Sequence, residues 1–324
     1  MFRVVYVYTG EKIDKYYYML QISIKSLLVY SPSVNIVIVT NKQTEQFIRS
    51  FGDDIFREDK VSFVLVDLSQ EIGPVEASRY IKTNLRALLK GDFLFIDCDT
   101  VICEDISNAI FPGSVCMVLD NHARVSEIGK SGEILRERAQ NRGLDISKCE
   151  FYYNSGVMMV KDDEIAHEFF NRWHSEWKRT KKEGMYQDQF SLNSVNSSIN
   201  LITEIEGKWN CQVISNPYSL KYLATAKVVH YYNTQEDGIY LLNDKNILLK
   251  GCYSDEVKQI IENPRVAFKA TYIFAAHSQT LRLLSSYQFK MLEKISCRFK
   301  RFFSFTEKIL AIISKRFHRK ANTK

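Results

Sequence analysis

The chain has 324 residues, 45% of them hydrophobic, and a net charge of +6, which suits one large or two small domains with a proper core. Its seven cysteines include no Cys-x-x-Cys pair, so neither a zinc ribbon nor a thioredoxin motif is supported, and a reducing cytoplasm fits best. We expect no signal peptide, because residues 2–8 have the pattern of a strand, and no apolar run is long enough to span a membrane.

The first hundred residues alternate between predicted strands and predicted helices. Strands are predicted at 2–8, 34–40, 61–66 and 93–96, and helices at 16–30, 44–51 and 77–90. Continuously apolar strands that alternate with helices are typical of an α/β fold with a parallel, Rossmann-like sheet. No Gly-x-Gly-x-x-Gly follows the first strand and no Walker loop occurs, which argues against a dinucleotide oxidoreductase and a P-loop kinase.

The strand at 93–96 ends in two carboxylates, Asp97 and Asp99. In open α/β sheets the ligand crevice lies beyond the carboxyl ends of the strands. Two acids placed there repel each other unless a cation lies between them, and Mg²⁺ or Mn²⁺ binds both carboxylate and phosphate oxygens. The segment therefore predicts a metal–diphosphate site. The alternative is that this Asp-x-Asp is an ordinary solvated turn.

The second part of the chain continues the alternation as far as a late strand that carries His230. The predicted elements are a strand at 114–119, a charge-mixed helix at 124–142, a turn at 154–156 leading into an apolar strand, an amphipathic helix at 162–178, a helix beginning near 185, and a strand at 228–232. The aromatic residues of the amphipathic helix are expected in the core.

Six segments taken together resemble one family. In chain order they are VVYVYTG, SRYIKTNLRALL, GDFLFIDCDT, YNSGVMMV, DQFSLN and VVHYY. This ordered set resembles bacterial sugar-nucleotide glycosyltransferases of the GT-A fold, most closely glycosyltransferase family 8 of the lipopolysaccharide or capsule galactosyl- or glucosyltransferase type. It covers roughly residues 2 to 235 and implies a mostly parallel sheet flanked by helices.

The resemblance implies a divalent metal, Mn²⁺ or Mg²⁺, held by Asp97, Asp99 and His230. Without the other segments, a lone histidine at a strand end would more often be a plain polar residue. The resemblance also implies that Asp97 and Cys98 lie against the donor. It further implies that Arg79 and Lys82 face its phosphates, with a solvated helix face as the alternative for Lys82.

The donor sugar would be held by the segment Asn154, Ser155 and Gly156, for which an ordinary strand-entry turn is the alternative. Asp188 and Gln189 match the family's Asp-Gln pair at the anomeric carbon, although Asp188 also suits a helix N-cap. At the first strand's end, Tyr8, Thr9 and Gly10 occupy the place that contacts base and ribose, and Tyr8 could stack on uracil.

One feature departs from the family pattern. The family often continues its late histidine as His-x-x-Gly-x-x-Lys, and here no Gly or Lys follows His230 at that spacing, so the usual lysine contact to the diphosphate is missing.

The implied activity is transfer of a hexose from a nucleoside diphosphate sugar, with UDP favoured by resemblance, to an envelope glycan or lipid-linked acceptor. The resemblance also implies retention of configuration. The Gln189 amide is a poor nucleophile, so the reaction would run on one face, with Asp188 as the only nearby carboxylate for a covalent route. The alternatives are a sugar-nucleotide pyrophosphorylase, which usually has a Gly-rich loop where Tyr8-Thr9-Gly10-Glu11 stands, and an inactive GT-A binding module.

Residues 282–324 carry twelve Lys or Arg and two acids, a charge of +10, which leaves the remainder at about −4 against the chain total of +6. Apolar residues recur there at helical spacing. A basic, aromatic-rich amphipathic helix fits an anionic membrane surface, with packing on the domain or nucleic-acid binding as less favoured alternatives. We therefore predict a catalytic domain at 1–250 and a helical region at 251–324, attached peripherally to the cytoplasmic face of the cell membrane.

Overall fold

A computed structural model describes residues 2–68, 72–128, 130–147, 149–213, 220–231, 242 and 244–268, and further on residues 287, 291, 298, 299, 301, 302, 305, 306, 308 and 309. The strands are β1 Arg3–Val7, β2 Ile36–Thr40, β3 Val61–Leu65, β4 Phe93–Ile96, β5 Thr100–Ile102, β6 Val115–Leu119, β7 Tyr153–Val160, β8 Ile202–Glu204, β9 Cys211–Gln212 and β10 Val228–His230. The α-helices are α1 Lys15–Tyr30, α2 Lys42–Phe51, α3 Pro74–Thr83, α4 Leu85–Leu88, α5 Lys130–Gln140, α6 Glu164–Lys182, α7 Asp188–Ile199, α8 Leu220–Leu223, α9 Lys245–Leu248 and α10 Asp255–Glu262.

The main sheet has the strand order β3-β2-β1-β4-β7-β6-β8. Its pairs are parallel except where the long strand β7 runs antiparallel between β4 and β6. Alternate residues of β1 face opposite cores, because Val4 and Tyr6 pack into one apolar cluster and Val5 and Val7 into another. The predicted α/β architecture with a mostly parallel, two-sided sheet is confirmed.

A small second sheet, with the order β5-β10-β9, carries the late histidine to the carboxylates. Strand β10 runs antiparallel to β5, and its register pairs His230 with Thr100. The backbone N–H of Tyr231 donates to the carbonyl of Asp99 at 3.0 Å. Two segments 130 residues apart in the sequence are thereby joined beside Asp97 and Asp99.

Three predicted elements differ from the structure. The helix expected at 77–90 is two helices, α3 and α4, because the N–H of Asn84 turns back to the carbonyl of Ile81. The helix expected from residue 124 begins only at Lys130. The turn expected at 154–156 lies inside β7, since the neighbouring strands pair with this polar segment and override its turn propensity.

Internal contacts divide the chain into two units, Met1–Thr271 and Tyr272–Lys324. The first unit extends past the predicted boundary at 250, because Val257, Ile260 and Ile261 of α10 are buried in the same core as α1. Most of the predicted basic amphipathic helix lies outside the described residues. No helix among the described residues has the length and apolar character needed to cross a bilayer.

Candidate active site

A cavity of about 390 Å³ opens where β4, β7, β10 and the start of α7 meet. Ten of the residues singled out from the sequence line it: Arg79, Lys82, Asp97, Asp99, Asn154, Ser155, Gly156, Asp188, Gln189 and His230. The remaining lining residues are Asp120, Leu135, Arg138, Tyr152, Gln187 and Phe190. The predicted constellation is therefore brought together in one place, although several of its members have contacts that the sequence did not suggest.

Asp97, Asp99 and His230 offer one ligand atom each, and these atoms all lie within 4.8 Å of one another. Asp99 Oδ1 is 3.2 Å from His230 Nε2. Two carboxylate oxygens and one imidazole nitrogen form a donor set that suits Mn²⁺, and Mg²⁺ less well because it prefers oxygen. The residues present therefore fit a divalent ion.

The charges in this cluster depend on one another. Burial works against the charged forms of Asp99 and His230, but their mutual attraction prevails, so the pKa of Asp99 is lowered and the pKa of His230 is raised. The pKa of Asp97 is raised, chiefly by burial and then by repulsion from Asp99, against the opposing effect of Lys82. A divalent cation placed here would relieve that repulsion.

Lys82 is buried between two carboxylates, and its predicted contact with the phosphates of a donor stays a prediction. Its side chain is only 3% exposed, and Nζ lies 3.0 Å and 3.1 Å from the two carboxylate oxygens of Asp97 and 3.4 Å from Asp188 Oδ2. The alternative of a solvated helix face is wrong, because the ammonium is enclosed by two acids and the ring of Phe95. Lys82 therefore bridges Asp97, at one end of the cavity, and Asp188, at the other.

Asp188 has both carboxylate oxygens occupied. Arg79 Nε lies 2.9 Å from Oδ1, and the Ser155 hydroxyl donates to Oδ2 at 3.0 Å. Burial alone would raise the pKa of Asp188, but Lys82 and Arg79 lower it to about 2. The predicted N-cap role is wrong, because Asp188 is the first residue of α7 and Gln187 stands at the cap without a side-chain bond.

The segment Asn154-Ser155-Gly156 is a fixed part of the sheet. The Asn154 amide oxygen accepts from the Gly156 N–H at 2.9 Å, and its amide nitrogen donates to Asp120. The Asn154 side chain is therefore held by the protein on both its oxygen and its nitrogen, and its contact with donor hydroxyls stays a prediction. A Cβ at Gly156 would come within 2.3 Å of the His230 ring, so glycine is needed there for close packing of the histidine.

Asp120 is a site residue that the sequence analysis missed. It follows β6 directly, as Asp97 follows β4, and it lines the same cavity beside Gln189. Its carboxylate accepts from Asn121 and Asn154, and burial raises its pKa. Asp188, expected to be the only nearby carboxylate for a covalent route, is therefore joined in this cavity by Asp120. An acid directly after an apolar strand was the signal that could have found it.

The residues at the end of β1 lie outside this cavity. Thr9 and Gly10 line a separate pocket of about 50 Å³. Tyr8 is 3% exposed and packs against Tyr17, so its ring is not open to stack on a base as predicted. The Cys98 thiol is half-buried and faces the carbonyl of Val7 at 3.6 Å. Contact of these four residues with a donor stays a prediction.

Comparison with known proteins gives one family and several structural neighbours. The family model of nucleotide-diphospho-sugar transferases matches residues 85–249. A search of curated proteins finds no significant match. Solved structures similar to the chain include the galactosyltransferase LgtC with donor and acceptor sugar analogues, at 14% identity, with 80% of this chain and 95% of LgtC covered and a TM-score of 0.51.

Two further neighbours are the glycosyltransferase GlyE of Streptococcus pneumoniae TIGR4 and mouse xyloside xylosyltransferase 1 in its apo form. GlyE is 11% identical, with 81% of this chain and 63% of GlyE covered and a TM-score of 0.51. The mouse enzyme is 13% identical, with 71% and 97% covered and a TM-score of 0.48. Similarity to LgtC and GlyE at such low identities shows the fold alone, and that fold is the predicted GT-A fold.

Proposed function

The chain belongs to the nucleotide-diphospho-sugar transferase family and is a glycosyltransferase of the GT-A fold resembling family 8. From this premise we propose that it transfers a hexose from a UDP-sugar to an envelope glycan or lipid-linked acceptor, with a divalent metal and with retention of configuration. The observation that carries the proposal is the convergence of Asp97, Asp99 and His230 with Asp188 and Gln189 in one cavity.

The metal cluster marks the diphosphate end of this cavity. Asp97, Asp99 and His230 would hold Mn²⁺, and the bound ion would supply Lewis-acid stabilisation of the leaving diphosphate. Lys82 is bonded to Asp97 and Asp188, so it orients these acids. It does not replace the lysine that contacts the diphosphate in the family and that this chain lacks after His230.

The sugar end of the cavity favours a reaction on one face of the donor. Asp188 has both oxygens bonded to Arg79, Lys82 and Ser155, which makes it a poor nucleophile. Gln189 presents a neutral amide, and Asp120 presents a carboxylate held by amide donors. In the proposed reaction the bond to the diphosphate breaks as the acceptor oxygen approaches the same face, and the departing phosphate takes the acceptor proton.

The function is tested by incubating the protein with UDP- and GDP-hexoses in the presence of Mn²⁺, Mg²⁺ or EDTA. We expect slow release of free hexose and nucleoside diphosphate from one donor, dependent on the metal. Release of sugar 1-phosphate on adding pyrophosphate would instead identify a pyrophosphorylase. A protein that binds the donor with metal but never turns it over would be the inactive binding module.

We also propose that the second unit attaches the enzyme to anionic lipid on the cytoplasmic face of the cell membrane, where the acceptor would lie. The apolar residues described in this unit are largely exposed: Tyr287, Met291, Phe299, Phe302, Phe305 and Ile309. Arg298, Arg301 and Lys308 are exposed between them. Such a surface suits a bilayer interface, where each basic residue adds about 1 kcal/mol.

Changing Arg298, Arg301 and Lys308 together to glutamine should weaken binding to anionic vesicles by about 100-fold, since about 3 kcal/mol is removed. Co-sedimentation with phosphatidylglycerol vesicles at low salt measures this, with pure phosphatidylcholine vesicles for comparison. The control variant changes Lys42, Lys178 and Lys182 of the first unit, which are equally exposed. Equal losses in both variants, or no binding by the wild type, would contradict the attachment.

A further inference from the structure

The second ring nitrogen of His230 is held by a buried asparagine that no feature of the sequence pointed to. His230 is 3% exposed, and its Nδ1 lies 3.0 Å from the side-chain oxygen of Asn210, which is fully buried. Asn210 ends a short 3₁₀ helix just before β9, and β9 pairs with β10. This pairing places the amide at the Nδ1 edge of the ring, whereas Asp99 lies at Nε2.

The direction of each hydrogen bond in the series Gly156, Asn154, Asn210 and His230 follows from the first of them, Gly156. The backbone N–H of Gly156 can only donate, so the Asn154 atom that it meets at 2.9 Å is the oxygen. That oxygen also accepts a hydrogen bond from the Asn210 amide nitrogen at 2.9 Å. The remaining polar atom of Asn210, the one that faces His230, is therefore its oxygen, which can only accept.

The imidazole tautomer follows from the same argument. Since the Asn210 oxygen accepts, Nδ1 of His230 must carry a proton. When the ring is neutral, the lone pair is then on Nε2, and Nε2 is the nitrogen 3.2 Å from Asp99 in the metal-binding cluster. A ligating histidine is oriented in this way by the partner of its other nitrogen.

We propose that Asn210 is a positioning residue that fixes His230 in the Nδ1-protonated tautomer and directs Nε2 to the metal. This inference rests on the metal-dependent part of the proposed function. Because Asn210 also bonds Asn154, it links the metal ligand to the strand that forms the sugar end of the cavity. Loss of the asparagine oxygen would let the ring proton move to Nε2 and donate to Asp99, which would occupy the ligand atom.

Two substitutions separate this role from simple packing. Asn210→Leu keeps the branching of the side chain at Cγ and removes the acceptor. Asn210→Asp keeps an acceptor for Nδ1 and replaces the donor to Asn154 by a carboxylate oxygen. We expect the leucine variant to bind Mn²⁺ about 10- to 100-fold more weakly by titration calorimetry. The aspartate variant should stay within about threefold of the wild type, because carboxylates serve the same orienting role in metal sites.

A readout without metal accompanies the titration. ¹⁵N NMR of the metal-free protein, at a pH where the ring is neutral, should show His230 protonated on Nδ1 in the wild type and the aspartate variant, and mainly on Nε2 in the leucine variant. Gln212→Leu is the matched control, because Gln212 is a buried amide two residues away that bonds Asn121 and Leu119. It should leave both measurements unchanged.

The inference is overturned if Asn210→Leu keeps wild-type Mn²⁺ affinity, or if the metal-free leucine variant still carries the His230 ring proton on Nδ1. The variant His230→Ala tells this failure apart from a failure of the metal site. If His230→Ala loses Mn²⁺ and Asn210→Leu does not, only the positioning role falls. If His230→Ala also binds Mn²⁺ normally, the metal site and the positioning role fall together.

Discussion

Replacement of Asp99 by asparagine should lower metal-dependent donor turnover by about 1000-fold, equivalent to roughly 4 kcal/mol of transition-state stabilisation. The substitution replaces one of the two carboxylates of the cluster by an amide and removes the negative charge that lies 3.2 Å from His230 Nε2. An amide oxygen is a weaker ligand for a hard cation and carries no charge to balance it. Turnover of the UDP-sugar found in the donor screen, measured across a range of Mn²⁺ concentrations, gives the effect.

The control for this variant is Asp92→Asn. Asp92 precedes the same strand, β4, and is exposed. It accepts a hydrogen bond from the backbone of Asp162 at the end of the strands away from the cavity. Its replacement should change turnover by less than twofold. If Asp99→Asn retained more than a tenth of wild-type turnover with the same Mn²⁺ dependence, the ligand assignment would be wrong.

Replacement of Lys82 by methionine should reduce the free energy of unfolding by about 3 kcal/mol in the absence of metal. Methionine fills most of the space of the aliphatic stem, so the main change is the loss of the charge. That loss leaves Asp97 and Asp188 facing each other with one cation, Arg79, still bound to Asp188. Uncompensated buried carboxylates are costly, and urea denaturation measures the difference.

Mn²⁺ should restore part of this stability, because an ion bound at Asp97 supplies the missing positive charge. The variant should therefore gain more stability from Mn²⁺ than the wild type does. Arg79→Met is the comparison, since the Arg79 side chain is 34% exposed and its removal leaves Lys82 in place; we expect a loss of about 1 kcal/mol. Equal losses in the two variants would refute the bridging role of Lys82.

The sequence predicted most of the fold and the membership of the site because both rest on local patterns. Apolar runs predicted the strands, and the position of Asp97 and Asp99 directly after β4 predicted their place in the site. The carboxyl ends of neighbouring strands meet at one sheet edge, so these residues converge whatever the loop details. Asp120 carries the same signal after β6 and was overlooked because it stands without a second acid.

The roles of individual side chains were harder to predict, since they depend on partners distant in the chain. Helical spacing placed Lys82 and Arg79 on one face but gave no sign that Lys82 would be enclosed by Asp97 and Asp188. Asn210 belongs to no recognisable motif, and only the pairing of β9 with β10 brings it to His230. Burial and register are tertiary properties that local patterns do not contain.

The polar segment at 154–156 shows how neighbouring strands decide local structure. Small polar residues favour turns, which was the basis of the prediction. In the structure Asn154 pairs with Val118 of β6, and the carbonyl of Gly156 accepts from the N–H of Asp97 at 2.7 Å. A register shift between Met117 and Val118 accommodates the segment, so the strand continues where an isolated peptide would bend.

The position of residues 154–156 within β7 makes one wall of the cavity rigid. Asn154 is paired with β6 and Gly156 is bonded to Asp97, so this part of the cavity wall would be preformed, and discrimination between hexose epimers would be built in before the donor arrives. The adjustable parts are at the rim, where Arg138 of α5 is exposed over the ring of Phe190. Substitutions intended to broaden donor choice would therefore succeed at rim positions. They would fail at Ser155 or Gly156, where there is no space for a larger side chain.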